Sequence, residues 1–212
     1  MKIGIIGAGA IGGTLTRRLR RLGHEVSVAN SRGPATLAEL AAETGATAVA
    51  VREAAQAGDV VIVTIPEGQI PHLPKGLFDG VPGSVVVVDT GNYYPRERDG
   101  RLDALEESPS ESQWVAKVLG RPAGTSGRLA LPVAGDDAVA KQTVMRLVEE
   151  LGFDAVDAGS LADSWRQQPG TPVYAGRRDA AGVRKALAEA SPDRQPAFRG
   201  TANSPGTWAT PA

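Results

Sequence analysis

The chain contains no cysteine. That excludes disulfides, thiolate metal centres and thiol nucleophiles together. Two histidines, His24 and His72, stand far apart in sequence and supply no histidine cluster for a metal. Aromatic residues make up only 4% of the 212 residues, so a core has to be assembled from Val, Ile, Leu and Ala. The formal net charge of −1 lacks the basic excess that displaces counterions from a polyanion, so no nucleic-acid partner is expected. No apolar run approaches the roughly 18 residues that cross a bilayer. Met1-Lys2 leads straight into Ile3-Gly4-Ile5-Ile6, without the ordered regions of a signal peptide. The expectation is a cytoplasmic protein with no membrane partner.

What is present is an alternation of strand-like and helix-like segments, the pattern of an α/β fold. Ile3 to Ile6 is a short apolar run, and Ala10 to Leu22 carries Ile11, Leu15, Leu19 and Leu22 at helical spacing. Glu25 to Ala29 reads as a strand, and Pro34 suits the first turn of a helix that Gly45 stops. Thr47 to Val51 is a third strand, followed by a short helix from Val51 to Ala57. Asp59 to Ile65 and Val85 to Asp89 are nearly all apolar, as strands buried on both faces are. Residues 94–112 are polar and turn-rich and read as a surface loop with one helical turn. Beyond them come a strand over Arg128 to Ala134, a helix over Asp137 to Leu151 and a strand over Phe153 to Ala158, then helices over Ser160 to Gln167 and Asp179 to Ala190. This predicts a Rossmann-like, doubly wound, mostly parallel sheet with helices on both faces. Residues 1–190 form one domain, of which 150–190 is a C-terminal extension closing the pocket. Residues 191–212, rich in Pro, Gly, Ser and Thr, are expected to be disordered.

Gly7-Ala8-Gly9-Ala10-Ile11-Gly12 matches G-x-G-x-x-G, directly after a strand and at the start of a helix. Gly7 permits the tight turn, Gly9 lets a pyrophosphate approach the backbone at the helix N-terminus, and Gly12 allows close helix-strand packing. The second strand should end in an Asp or Glu if the ligand were NAD. The sequence there is Ala29-Asn30-Ser31-Arg32. A carboxylate would repel a 2′-phosphate, whereas Arg32 offers a planar cationic fork to it, Ser31 can complete the cradle, and Asn30 can hold the neighbouring ribose hydroxyl. The triplet therefore predicts NADP(H).

Ligands of open α/β sheets lie outside the carboxyl ends of strands. By that rule Ile65 and Pro66 flank the nicotinamide ribose. Thr90, Gly91 and Asn92 admit the cofactor closely, and Ala134 with its neighbours Val133 to Asp137 adds a further edge. Ordinary turn chemistry explains these residues equally well. His72, in a proline-flanked loop, reads as exposed rather than as a proton donor. Asp136-Asp137 reads as the cap of the following helix rather than as a metal site. Ser164-Trp165-Arg166-Gln167-Gln168-Pro169-Gly170-Thr171-Pro172-Val173-Tyr174 suits either a pocket wall or a subunit contact, and a homodimer through this region is the expected assembly if there is one.

These residues together resemble the NADPH-dependent deazaflavin reductases, which reduce coenzyme F-420. The resemblance rests on G-A-G-A-I-G-G at 7–13, A-N-S-R-G-P at 29–34, V-D-T-G-N-Y-Y-P at 88–95, L-P-V-A-G-D-D at 131–137 and S-W-R-Q-Q-P-G-T-P-V-Y at 164–174. It covers most of residues 1–190. The N-terminal half is also similar to pyrroline-5-carboxylate reductases and to cytosolic domains of membrane ferrireductases. The resemblance implies direct hydride transfer between NADP(H) and a small-molecule acceptor stacked against it, with coenzyme F-420 as that co-substrate and no catalytic side chain named. Positioning and exclusion of water then matter more than an acid or base, because the cofactor carries the reaction. The family has a strand with a K-A-F-N-like motif beside the nicotinamide. Here Trp114-Val115-Ala116-Lys117-Val118-Leu119 passes directly to Gly120-Arg121-Pro122-Ala123-Gly124, so that strand is absent near residue 120. The alternatives are a reductase of another acceptor, an imine or a flavin, and an NADP-binding redox sensor with weak catalysis.

Overall fold

The computed structural model describes residues 1–121, 123–126, 130–193, 195–207 and 210–211. β1 (Lys2–Ile6) is followed by α1 (Ala10–Arg21), β2 (Glu25–Ala29), α2 (Ala38–Thr44), β3 (Thr47–Ala48) and α3 (Val51–Ala55). β4 (Val60–Val63) and β5 (Val86–Asp89) continue the sheet, and α4 (Asp103–Glu106) and α5 (Glu111–Leu119) follow. β6 (Ala123–Ser126), β7 (Ala130–Ala134), α6 (Ala138–Glu150), β8 (Asp154–Asp157) and α7 (Ala180–Ala188) complete the regular elements among the described residues.

The strands form one sheet in the order β3-β2-β1-β4-β5-β6-β7-β8. All neighbours are parallel except β6 and β7, which run antiparallel. The register sets Ala29 beside Ile6, Ile6 beside Val63 and Val63 beside Asp89, so β2, β1, β4 and β5 end on one line. Order reverses between β1 and β4, where such sheets open a ligand crevice.

The near-continuous apolar strands are explained by two covered faces. Val61, Val63 and Val87 join Ala54 of α3 and Trp114 and Val115 of α5 in one core. Val60, Ile62 and Val88 point the other way, to Leu19 of α1 and Val144, Leu147 and Val148 of α6. Each fully buried Val or Ile contributes on the order of 1.5–3 kcal/mol. A third cluster, Val156 with Val173, Val183 and Leu187, ties the 160–190 region to the edge of the sheet.

Two expectations meet a different structure. Residues 94–112 are not a polar surface loop: they hold a π-helical turn over Pro95–Asp99, α4 and the start of α5. The Tyr93 ring just before them is 1% exposed, its hydroxyl accepting from the Leu102 N–H at 2.8 Å and donating to the Gly100 carbonyl at 3.0 Å. One buried phenol thus organises a segment whose own sequence is polar. The strand missing near residue 120 has a substitute: β6 pairs in parallel with β5, Val87 beside Ala123 and Asp89 beside Thr125, and keeps the sheet continuous. Its Ala-Gly-Thr-Ser sequence carries no apolar alternation, so pattern alone does not show it as a strand. The segment after Ser191 makes a 3₁₀ turn over Pro196–Phe198, and the Gly200 N–H donates to Glu106 Oε1 at 2.8 Å.

Candidate functional site

The turn from β1 into α1 is built by close approach. Gly7 has φ +110°, and a Cβ there would lie 2.3 Å from the Thr64 carbonyl oxygen. A Cβ on Gly12 would lie 1.8 Å from the Gly7 oxygen. At Gly9 a Cβ would meet nothing within 4 Å, so the space in front of the turn is open. No side chain caps α1, its first turn carries no acid, and its last turn carries Arg18, Arg20 and Arg21. An uncapped helix start facing open space fits an anionic group such as a pyrophosphate.

Beyond β2 the triplet is arranged by its first member. Asn30 Oδ1 accepts the Arg32 backbone N–H at 2.9 Å, and Asn30 Nδ2 donates to Thr36 Oγ1 at 2.9 Å. Asn30 therefore shapes the turn, and Ser31 and Arg32 stand exposed on it. Among the described residues the Arg32 guanidinium has no hydrogen-bond or ion-pair partner. Thr36, which sequence reading passes over, closes this turn by donating to the Gly33 carbonyl at 2.8 Å.

The register brings Ile65, Pro66, Thr90, Gly91 and Asn92 to the same edge as the glycine turn. Ile65 Cγ2 lies against Gly7, and the Thr90 N–H bonds the Val63 carbonyl at 3.0 Å. Ala134 stands level with this edge but two strands out, pairing with Thr125 of β6, which pairs with Asp89. It is 1% exposed and does not line the cavity. The start of β7, Ala130 to Pro132, lines the cavity instead. Asp137 caps α6 by accepting from the Ala140 N–H at 2.8 Å. His72 is exposed, and His24 is a structural residue between the N-terminal amine and Glu150. No group of three His, Cys, Asp or Glu among the described residues is placed to hold a metal ion.

A cavity of about 750 Å³ opens beside this edge, between α1 and α6. Ile11 and Leu15 of α1 and Val148 and Phe153 give it an apolar wall. Thr90, Gly91 and Asn92 form one end with Glu111 and Ser112 of α5, and Ser164, Gln167 and Tyr174 come from the C-terminal extension. The Ser164–Tyr174 stretch is thus a pocket wall in this structure. Burial raises the Tyr174 phenol above its ordinary value.

Beneath Gly91 lies a feature that sequence reading missed. Glu67 is 0% exposed, and neither of its carboxyl oxygens has a hydrogen-bond partner. Asp89, 1% exposed, accepts the Gly91 N–H at 2.9 Å through Oδ1 and leaves Oδ2 unpartnered. A Cβ on Gly91 would sit 2.3 Å from Glu67 Oε1 and 3.1 Å from Asp89 Oδ1, which explains the glycine. Burial, then the charges of Asp89, Glu111 and Asp99, raise the Glu67 carboxyl well above its usual range against the pull of Arg98. Burial lifts Asp89 to about 6, while the Gly91 and Thr90 N–H groups pull it back. The clue in the sequence is an acid inside apolar context, Ile65-Pro66-Glu67-Gly68-Gln69-Ile70, yet nothing local says that it turns inward.

Residues 2–93 match the family model for NADP oxidoreductase, coenzyme F-420-dependent. A solved hypothetical protein from Sinorhizobium meliloti is 30% identical with a TM-score of 0.63, over 80% of this chain and 91% of its own. The chain belongs to the coenzyme F-420-dependent NADP oxidoreductase family. An Arthrobacter structure described as an F-420-dependent NADP reductase shares the fold at 24% identity and TM-score 0.63, over 77% of this chain and 86% of its own. An imine reductase from a Pseudomonas species shares it at 15% and TM-score 0.53, over 74% of this chain but only 55% of its own. The Escherichia coli protein YjhV is 58% identical over 53 residues, which are 25% of this chain and 39% of YjhV. The family places the chain among NAD(P)-dependent oxidoreductases of Rossmann-like fold. No helix of the described residues is long and apolar enough to cross a membrane.

Proposed function

We propose that this family member is an NADPH-dependent oxidoreductase that moves a hydride between NADP(H) and a small acceptor, of which a deazaflavin of the coenzyme F-420 type is the best match. The observation that carries the reading is the exposed, unpaired Arg32 beyond β2, where an NAD enzyme would place a carboxylate. The nicotinamide, when bound, supplies the hydride. The chain's residues do the rest. The open glycine turn from Gly7 to Gly12 receives the pyrophosphate on the free end of α1. Arg32 and Ser31 take the 2′-phosphate on the turn that Asn30 and Thr36 hold. Ile65 and Pro66 give the ribose an apolar wall, and the small residues Thr90 and Gly91 let the ring approach the cavity end. The cavity behind it seats the acceptor and keeps water away.

Two charge-assisted hydrogen bonds at roughly 1.5–3 kcal/mol each make a preference for NADPH over NADH of about a hundredfold or more. Arg32→Ala should remove that preference while leaving NADH binding unchanged, as measured by fluorescence titration of both cofactors. An unaltered preference would refute the 2′-phosphate assignment. The acceptor is tested by following NADPH oxidation with oxidised deazaflavin. Turnover supports the reductase, whereas tight NADPH binding without turnover points to another acceptor or to an NADP-binding sensor.

A further inference from the structure

Hydride transfer to an acceptor whose electron pair ends on nitrogen or oxygen needs a proton as well, and the cavity has a residue placed to give it. Among the described residues that line the cavity, Glu111 is the only carboxyl, and no histidine or lysine stands beside it. Tyr174 is the other titratable group below the arginines, and its burial makes it a weaker acid than an ordinary phenol. Glu111 opens α5, is 4% exposed, and takes the Tyr93 N–H on Oε2 at 3.2 Å, so its head is held at the end of the cavity next to Asn92.

Behind Glu111 lie two more carboxyls with nothing to balance them. Glu67 faces Asp89 on β5, Glu111 on α5, and Asp99 and Arg98 of the π-helical turn. Arg98 is engaged by Asp99, with Nε at 2.9 Å from Oδ1 and Nη2 at 2.8 Å from Oδ2, and Asp99 also takes the N–H groups of Gly68 and Tyr94. The positive charge of this corner is therefore spent on Asp99. Glu67 has no donor on either oxygen and Asp89 has none on Oδ2, and buried carboxylates so short of donors are neutralised by a cation or by a proton. Among the described residues the side chains do not converge in a metal-binding arrangement, which leaves the proton.

We propose that Glu111 is the residue that exchanges a proton with the acceptor, and that the buried pair Glu67 and Asp89 are positioning residues that keep a proton stored beside it. The inference rests on the reductase reading above. In the reducing direction the Glu111 carboxyl O–H bond breaks and an N–H bond forms on the acceptor. The electron pair that takes the proton is the one displaced onto nitrogen when the nicotinamide's hydride adds to a conjugated carbon of the acceptor. Glu111 is left as a carboxylate and regains its proton from water once product leaves. The acceptor class is accordingly one with a C=N conjugated to the carbon that is reduced, and a simple one-electron acceptor would have no use for Glu111.

The test combines binding, kinetics and a spectroscopic readout on the full chain. Infrared spectra of the ligand-free protein at neutral pH should show a buried carboxylic-acid band that Glu67→Gln removes. Absence of the band in the wild type overturns the stored proton. NADPH oxidation by oxidised deazaflavin should fall about tenfold per pH unit on the alkaline side. Glu111→Gln should bind NADPH within about twofold of wild type, lose on the order of a hundredfold in kcat, and show a flat pH profile. A Glu111→Gln protein that binds NADPH and keeps the wild-type rate and profile overturns the proposal. If glutamine at 111 prevents folding, Glu111→Asp decides. A lower kcat with the sloping profile retained supports the assignment, and an unchanged kcat refutes it. Wild-type protein that binds NADPH but oxidises it with neither a deazaflavin nor an imine overturns the reductase reading, and Glu111's role with it. That outcome is distinct from turnover that ignores Glu111.

Discussion

At the scale of single residues, the carboxyls under Gly91 make the strongest statement about energetics. Both Glu67 and Asp89 are shifted upward, chiefly by burial, so the folded protein holds protons that the unfolded chain releases. A group whose folded value is raised stabilises the fold fully below its ordinary value and loses that contribution as pH rises through the folded value. For Asp89 the loss runs from its ordinary 3.8 to about 6. For Glu67 it begins at its ordinary 4.5 and continues higher. Within its window each group weakens the fold by about 1.4 kcal/mol per pH unit. Thermal melts across pH should therefore show a midpoint falling toward alkaline pH. Glu67→Gln, a neutral replacement of similar shape, should flatten that fall, and a variant as pH-sensitive as wild type would contradict the buried-acid account. Glu67 was not legible as a site residue in the sequence, because a lone acid in a proline-rich turn is ordinarily solvated. The exposed place of Arg32 was legible, because it depends only on its position just after the second strand.

At the scale of elements, the β1–α1 turn separates two uses of glycine that the motif writes with one letter. Gly12 is needed by the protein: a Cβ there would sit 1.8 Å from the Gly7 oxygen and push α1 off the sheet. Gly9 is not needed by the packing, since a Cβ there meets nothing within 4 Å, and on the proposed function it is kept for the pyrophosphate. Gly12→Ala should cost about 1–3 kcal/mol or more of stability and weaken NADPH binding. Gly9→Ala should melt within about 1 °C of wild type yet lose most of its NADPH affinity. Calorimetric melts and titrations of the two variants check this pair, and equal losses of stability would sink the distinction. Elements with strong local pattern, such as α1 and the apolar strands β4 and β5, emerge from sequence within a residue or two of their bounds. β6 and α5 do not, since the first is made of small residues and the second follows a polar stretch anchored from outside by Tyr93.

At the scale of the whole molecule, the site is assembled from the glycine turn, the β4 and β5 ends, the start of α5 and the C-terminal extension. A ligand that bridges such parts stabilises the whole fold. At a hundredfold excess over its dissociation constant NADPH should add ~2.7 kcal/mol, a rise in melting midpoint of roughly 5 to 10 °C for a chain of this size. NADH at the same concentration should give a clearly smaller rise, and equal shifts would argue against the Arg32 reading.

The sequence by itself determined the sheet's apolar strands, the glycine turn and the cationic turn after β2, because each is written within a few neighbouring residues through periodicity, backbone freedom or charge. Tertiary structure decided what depends on distant partners. The antiparallel run of β7 buried Ala134 level with Asp89 and set Ala130 to Pro132 in the cavity wall. Long-range packing also brought Glu67, Asp89 and Glu111 from three elements into one dry corner. A strand's direction and a carboxyl's burial are both set by what packs against them, and no local pattern encodes that.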